Sequence, residues 1–225
     1  MEKDNKKALI REQNNKLDNS IIPQNSQEFM AEDFGKSGIS QSVINDYKDK
    51  KFLKCTTTSW ILNYPDLLTN ERTSYTTTRL KNPINGNKYI RPKDETSRLF
   101  KPLHLAPETL NNPNEYIIVT EGEKKAIKAV QEGFNCIAVP GVWCWKSKKT
   151  EDGLIPDMHK INWENKEVYL CFDNDICYKS QVLNALRALT YQLQDFGAIV
   201  KNIKLPTGKE VKNEFFNFGL YIQLL

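Results

Sequence analysis

"YIIVTEGEKKAIKAV", residues 116–130, decides the fold. Tyr116 to Thr120 is a short apolar run that reads as a buried strand. From Glu123 to Glu132 apolar residues return at helical spacing, at Ala126, Ile127 and Val130. Gly122 lies between them, where a tight strand-to-helix turn tolerates glycine best. The same alternation continues downstream. "CIAVPG" (136–141) reads as a second strand and "EVYLCFDND" (167–175) as a third. Residues 181–196 carry a stripe of Val182, Leu183, Leu186, Leu189 and Leu193, and "GAIVKNIKLP" (197–206) reads as a fourth strand. Strands alternating with helices pair in parallel through crossovers, and near-continuous apolar strands belong to a sheet covered on both faces. The expectation is an α/β fold with a parallel four-stranded sheet flanked by helices, over residues 116–217.

The upstream half is different in texture. Residues 1–28 are polar and rich in Asn and Gln, and read as a poorly ordered arm with room for one short helix. "SGISQSVINDY" (37–47) predicts a short helix with Ser40 as its N-cap. "TSWILNYPD" and "RTSYTTTRL" are rich in β-formers, and the Asn-Gly of "NPINGNKYI" predicts a hairpin turn. A small, basic α+β subdomain is therefore expected over residues 29–108, joined to the second half by the turn-rich "PETLNNPNE".

Composition narrows the function. The chain of 225 residues carries a mild net charge of +4, which permits a nucleic-acid partner without demanding one. It contains no apolar run of membrane-spanning length and no secretory signal at residue 1, so a cytoplasmic protein without a membrane partner is expected. Five scattered cysteines and two histidines, with no C-x-x-C pair, argue against zinc.

The strand ends carry the chemistry. In open parallel sheets ligands gather beyond the carboxyl ends of the strands. Glu121 ends the first strand, and Asp173 and Asp175 end the third. Residues i and i+2 of an extended segment face one side, so both aspartates can face one point. Clustered carboxylate oxygens suit Mg²⁺, which completes its shell with water and phosphate. Against this stands the plain alternative that polar residues gather at strand ends in any α/β fold. Glu123, Lys124 and Lys125 read as a solvated first helical turn.

Taken together, "E-G-E-K-K-A" after a strand, then "VPG", then "CFDND" after a strand, resemble the TOPRIM domain of bacterial-type primases, topoisomerases and related nucleases. The text is closer still to the TOPRIM-like domain of plasmid and phage replication proteins, through "GVWCWK", "GLIPDMHKINWENKEVYLCFDND" and "GAIVKNIKLPTGKEV". "KYIRPKDETSRLFK" is similar to the basic subdomain of bacterial primases. The resemblance implies a catalytic and metal-binding set of Glu121, Asp173 and Asp175, with Mg²⁺ (or Mn²⁺) as cofactor. It also implies nucleotidyl or phosphoryl transfer in DNA replication, with single-stranded DNA, nucleotides and a replicative helicase as partners. Two departures bear on this. The ligands of a primase zinc module are missing, and the acidic pair expected after the last strand is represented only by Glu210 and Glu214, in the degraded context "GKEVKNEFFNFG".

Between residues 79 and 101 lie Arg79, Lys81, Lys88, Arg91, Lys93, Arg98 and Lys101, interleaved with Tyr89 and Phe100. Such a segment can track a phosphate backbone and stack bases, or be an ordinary solvated face over a core. Trp143, Trp145 and Lys146 follow the second strand, with one tryptophan expected to pack and the other to be exposed; Lys124 lies close enough to Glu121 to reach a bound phosphate, and reads equally well as one half of a surface salt bridge. Three readings stand: a metal-dependent primase-like enzyme, a non-catalytic module binding single-stranded DNA or a helicase, and a TOPRIM nuclease.

Overall fold

The computed structural model describes residues 24–172 and 180–203. The chain enters through α1 (Gln24–Gly35) and α2 (Gln41–Asp49). α1 begins inside residues 1–28, the stretch read as a poorly ordered arm with room for one short helix. Ser40 caps α2 as expected, its hydroxyl accepting from the Val43 amide at 3.4 Å. An antiparallel sheet follows in the order β1 (Leu53–Cys55), β2 (Ser59–Pro65), β3 (Arg72–Ile84) and β4 (Asn87–Ile90). Asn85 and Gly86, both at positive φ, make the β3–β4 turn that the Asn-Gly pair predicted. Register shifts between Asn63 and Pro65 on β2, an irregularity of the kind that re-aims a side chain. Tyr64 occupies that point and is fully buried, edge-on to Tyr75 and Phe100.

The connector holds a short helix, α3 (Glu108–Asn111), and then the parallel sheet begins. Its strands are β5 (Ile117–Glu121), β6 (Cys136–Val139), β7 (Glu167–Cys171) and β8 (Ile199–Asn202), in the order β6-β5-β7-β8. All three pairings are parallel, as the alternating pattern predicted, with Ile117 opposite Val168. α4 (Glu123–Gln131) links β5 to β6, and α5 (Ser180–Asp195) leads into β8. Between β6 and β7 the chain passes back across β5 through a loop and the short 3-10 helix Pro156–Lys160. The residues of the 116–217 expectation beyond 203 lie outside the described ones.

Period-2 alternation divides the core. Ile118, Cys136, Ala138 and Cys171 face α4 and the antiparallel sheet, in one cluster with Phe34, Trp60 and Leu62. Val119, Ile137, Val168 and Leu170 face the other way, clustered with Trp163, Leu189 and Leu193. Trp60 and Trp163 are core. The outer edge of β6 is covered by Phe100, which exchanges two backbone hydrogen bonds of 2.8 Å with Ala138. No described helix is long and apolar enough to cross a membrane.

Gly122 makes the turn from β5 into α4 at φ 95° and ψ 137°. A Cβ there would meet nothing within 4 Å, so substitution costs backbone strain alone. Gly122→Ala is expected to lower unfolding free energy by about 1–3 kcal/mol in urea titrations, the range for a residue held in a glycine-only region.

Candidate functional site

The crossover from β5 to β6 runs to one side of β5 and the next, from β6 to β7, passes back to the other, so the carboxyl ends of β5 and β7 flank the switch point at which such sheets bind ligands. Glu121, half-buried, ends β5 opposite Val139. By strand parity it lies on the side of Ile117 and Val119, whereas Thr120, fully buried, lies on the other, where its hydroxyl has no hydrogen-bond partner among the described residues. Glu121 offers the hard oxygen donor that Mg²⁺ or Mn²⁺ takes. Asp173 and Asp175, the other two expected donors, lie outside the described residues, one and three positions past Phe172. Among the described residues no group of three or more His, Cys, Asp or Glu side chains is placed to hold a metal ion.

Glu123 corrects the reading of a solvated first turn: it is 3% exposed. Its Oε1 accepts from the Tyr64 hydroxyl at 2.5 Å, the Thr77 hydroxyl at 2.8 Å and Arg91 Nη2 at 3.1 Å. Arg91 Nε also donates to Thr77 at 3.1 Å. Burial alone would lower the Arg91 pKa, but Glu123 beside it wins and holds the guanidinium firmly charged. Burial, with Glu123 adding to it, pushes the Tyr64 phenol well above its ordinary value. Thus β2, β3 and the segment after β4 all converge on the first turn after Glu121. Sequence reasoning missed this cluster, since Tyr64, Thr77 and Arg91 lie 59, 46 and 32 residues from Glu123.

Much of the expected basic surface is likewise internal. Arg98 is held by Asp157, at 3.2 Å from Nε, and by Asp66, at 3.3 Å from Nη2. Lys101 is fully buried and donates to the Leu105 carbonyl at 3.0 Å and to Asn70 Oδ1. Placing Lys101 on a phosphate-binding face was wrong: the aliphatic stem fills the core and two neutral oxygens take the ammonium. Burial lowers its pKa to about 8. Arg91 and Arg98 are committed to carboxylates, so their charge is spent inside the protein. Lys81, Lys88 and Lys93 are exposed, and Arg79 is partly so, lying over the rings of Phe29 and Tyr89 at 5.9 and 5.2 Å. Lys124 pairs with Asp33 at 3.0 Å, and burial lowers its pKa.

Beyond β6, Trp143 is 41% exposed and Trp145 is 1% exposed, the one-out, one-in arrangement expected. The rings stack with centroids 6.3 Å apart, and Lys146 Nζ lies 5.2 Å from one centroid and 4.8 Å from the other. Lys149 Nζ donates to the Lys93 carbonyl at 3.2 Å, tying this loop to the basic segment.

Comparison with known proteins places this geometry. Residues 108–213 match a family model described as a domain of unknown function, DUF3854. An uncharacterized protein of Picosynechococcus sp. is 29% identical over 101 residues, covering 41% of this chain and 10% of that protein. The Aquifex aeolicus primase, solved as its zinc-binding and RNA polymerase domains, superposes with a TM-score of 0.57 at 18% identity, over 84% of this chain and 52% of that one. A DnaG primase catalytic domain bound to single-stranded DNA gives 0.51 at 15% identity, over 83% and 68%. A DnaG catalytic core gives 0.51 at 14%, over 83% and 67%. The fold is that of primase catalytic domains, and the chain spans about half the length of the Aquifex protein and a tenth of the cyanobacterial one.

Two consequences are measurable. Glu123→Ala would strand Arg91, 23% exposed, without its carboxylate. A loss of about 3 kcal/mol is expected in denaturant titrations, at the low end for a broken buried pair because Arg91 keeps some solvent. The buried lysines set a pH dependence. Lys101, its pKa lowered from 10.5 to about 8, binds fewer protons folded than unfolded between those values. Stability therefore rises as pH increases from about 8 towards 10. Lys124 and Lys166, also lowered by burial, act in the same direction. Above about 10 the gain reverses, because burial raises the phenols of Tyr47 and Tyr64 and only the unfolded chain ionises them there. Urea midpoints measured across this range should follow that curve, and Lys101→Met should flatten its rising limb.

Proposed function

We propose that this chain is a metal-dependent, primase-like protein that acts on nucleic-acid phosphates during DNA replication, in the setting of a plasmid or phage. The observation that carries the reading is the position of Glu121, at the carboxyl end of β5 beside the switch point, in a fold shared with primase catalytic domains. Glu121, Asp173 and Asp175 would hold Mg²⁺ or Mn²⁺, which supplies Lewis-acid polarisation of a phosphate oxygen and a more acidic attacking hydroxyl. The protein's own part begins with the turn. Gly122 and the buried Glu123 fix the backbone on which Glu121 rides, holding its carboxylate at the rim before substrate arrives. Lys81, Lys88 and Lys93 lie exposed on the β3–β4 side and would neutralise phosphates of a single strand. Arg79 adds positive potential from a partly buried position, while the charge of Lys124 is offset by Asp33.

The test is primer synthesis and nuclease assay on single-stranded DNA with Mg²⁺ and with Mn²⁺. Primer extension should be lost by about 100-fold or more in Glu121→Gln and in Asp173→Asn/Asp175→Asn, the scale for removing a group that acts in the transition state. Single-stranded DNA binding should survive in both. Metal-dependent cleavage without synthesis would reassign the protein as a nuclease. Binding with neither activity would make it a non-catalytic module, one whose contact is DNA or a replicative helicase.

A further inference from the structure

We infer that Trp143 is a stacking platform for one unpaired nucleobase, and that Trp145 and Lys146 hold it in place rather than contact the base. The inference rests on the nucleic-acid reading above and names the part of the strand that this loop recognises.

Elimination points to Trp143 first. Of the expected stacking aromatics, Phe100 and Trp145 are buried, and Tyr89 is already engaged by two guanidinium groups, Arg79 at 5.2 Å and Arg91 at 5.6 Å from its ring centroid, and by Trp60 packed edge-on, whereas a single ammonium lies near Trp143. Tyr191 is 66% exposed but lies eleven residues along α5 from Ser180. At 1.5 Å per residue that is roughly 16 Å from the helix start, towards the opposite rim of the sheet. Trp143 is 41% exposed and follows Val139, the register partner of Glu121, by four residues. Four residues reach at most about 14 Å, so the ring stays at the rim where Glu121 sits.

The platform is also built in advance. The Trp145 indole N–H donates to the Val142 carbonyl at 3.0 Å, and the Trp145 carbonyl accepts from Ile155 at 3.1 Å. Lys146 bridges to Leu154 in antiparallel fashion, and its amide donates to the Trp143 carbonyl at 3.0 Å. The buried indole thus supports one side of the Trp143 ring, and the Lys146 ammonium lies near both rings. A large aromatic left 41% exposed on a loop this well tied offers a preorganised apolar surface with an ammonium 5.2 Å from its ring centroid. Every base presents a π-face, so the surface accepts an unpaired base of any sequence, whereas a base inside a duplex has both faces stacked.

The experiment compares two labelled single strands of about a dozen nucleotides, one of thymidine and one abasic, by fluorescence anisotropy on the full chain. The wild type is expected to bind the thymidine strand about 5- to 100-fold more tightly, the range for losing one stacked base. Trp143→Ala should abolish that preference while leaving abasic affinity and the salt dependence of binding unchanged, and Trp143→Tyr should retain most of it. Intrinsic fluorescence gives an independent readout, since the other three tryptophans are at most 4% exposed and quenching by the strand should report Trp143. A preference that persists in Trp143→Ala overturns the inference, as does an equal loss on both strands. Equal binding of both strands by the wild type overturns the platform and leaves nucleic-acid binding standing. No binding of either strand overturns both.

Discussion

The carboxylate of Glu123 is the joint on which the structure turns. It is 3% exposed, in the interior where an unpaired charge is most costly, and its hydrogen-bond partners come from the other sheet. The pairing therefore commits β2, β3 and the segment after β4 to one position against α4. Apolar burial between the two halves is non-directional and would tolerate several packings. A charged pair with a phenol and a hydroxyl around it tolerates one. Because Glu123 follows Glu121 by two residues, the contact that locks the halves together also locks the turn that presents Glu121.

Unlike side chains are kept apart around the candidate site. Hard oxygen sits at the end of β5, aromatic surface at the end of β6, and solvated lysines on the β3–β4 side. Arg91 and Arg98, which a count of positive charges would add to the phosphate-facing set, instead neutralise Glu123, Asp66 and Asp157. The outward field is weaker than the sequence suggests and more local.

The parallel sheet was legible because its signal is short-range. Each strand is an apolar run flanked by a helix, and Tyr116 to Thr120 needs no distant partner to be recognised. The hairpin turn at Asn85-Gly86 and the Ser40 cap were legible for the same reason: the backbone geometry selects the residue on the spot. The destinations of Glu123 and Lys101 were not legible. A charged side chain with a long aliphatic stem can lie in water or in the core, and partners far off in the chain decide which. Glu123 falls in the first turn of a helix, where acidic residues are common on electrostatic grounds, so its burial left no local trace. Thr77 carried the faint clue: by parity it shares its face of β3 with Tyr75, which lies in the core cluster with Ala126 and Ile127 of α4, but Thr suits a strand on either face. Of the site itself, Glu121 was placed by the end of its strand, while Asp173 and Asp175 lie outside the described residues.

Lys166, fully buried at the approach to β7, donates to the carbonyls of Thr109 and Glu115, each at 3.0 Å, and to that of Asn112. Three backbone oxygens of the connector thus close around one ammonium as they would around a small ion. Surface connections are ordinarily where evolution adds and removes residues most freely. Here a single insertion or deletion between Thr109 and Glu115 would rotate a carbonyl out of the ring and leave a positive charge short of oxygen. Variation in this lineage should accordingly take the form of exchanged side chains at constant spacing, with length changes displaced to the β3–β4 turn, where every residue from Lys81 to Ile90 meets solvent.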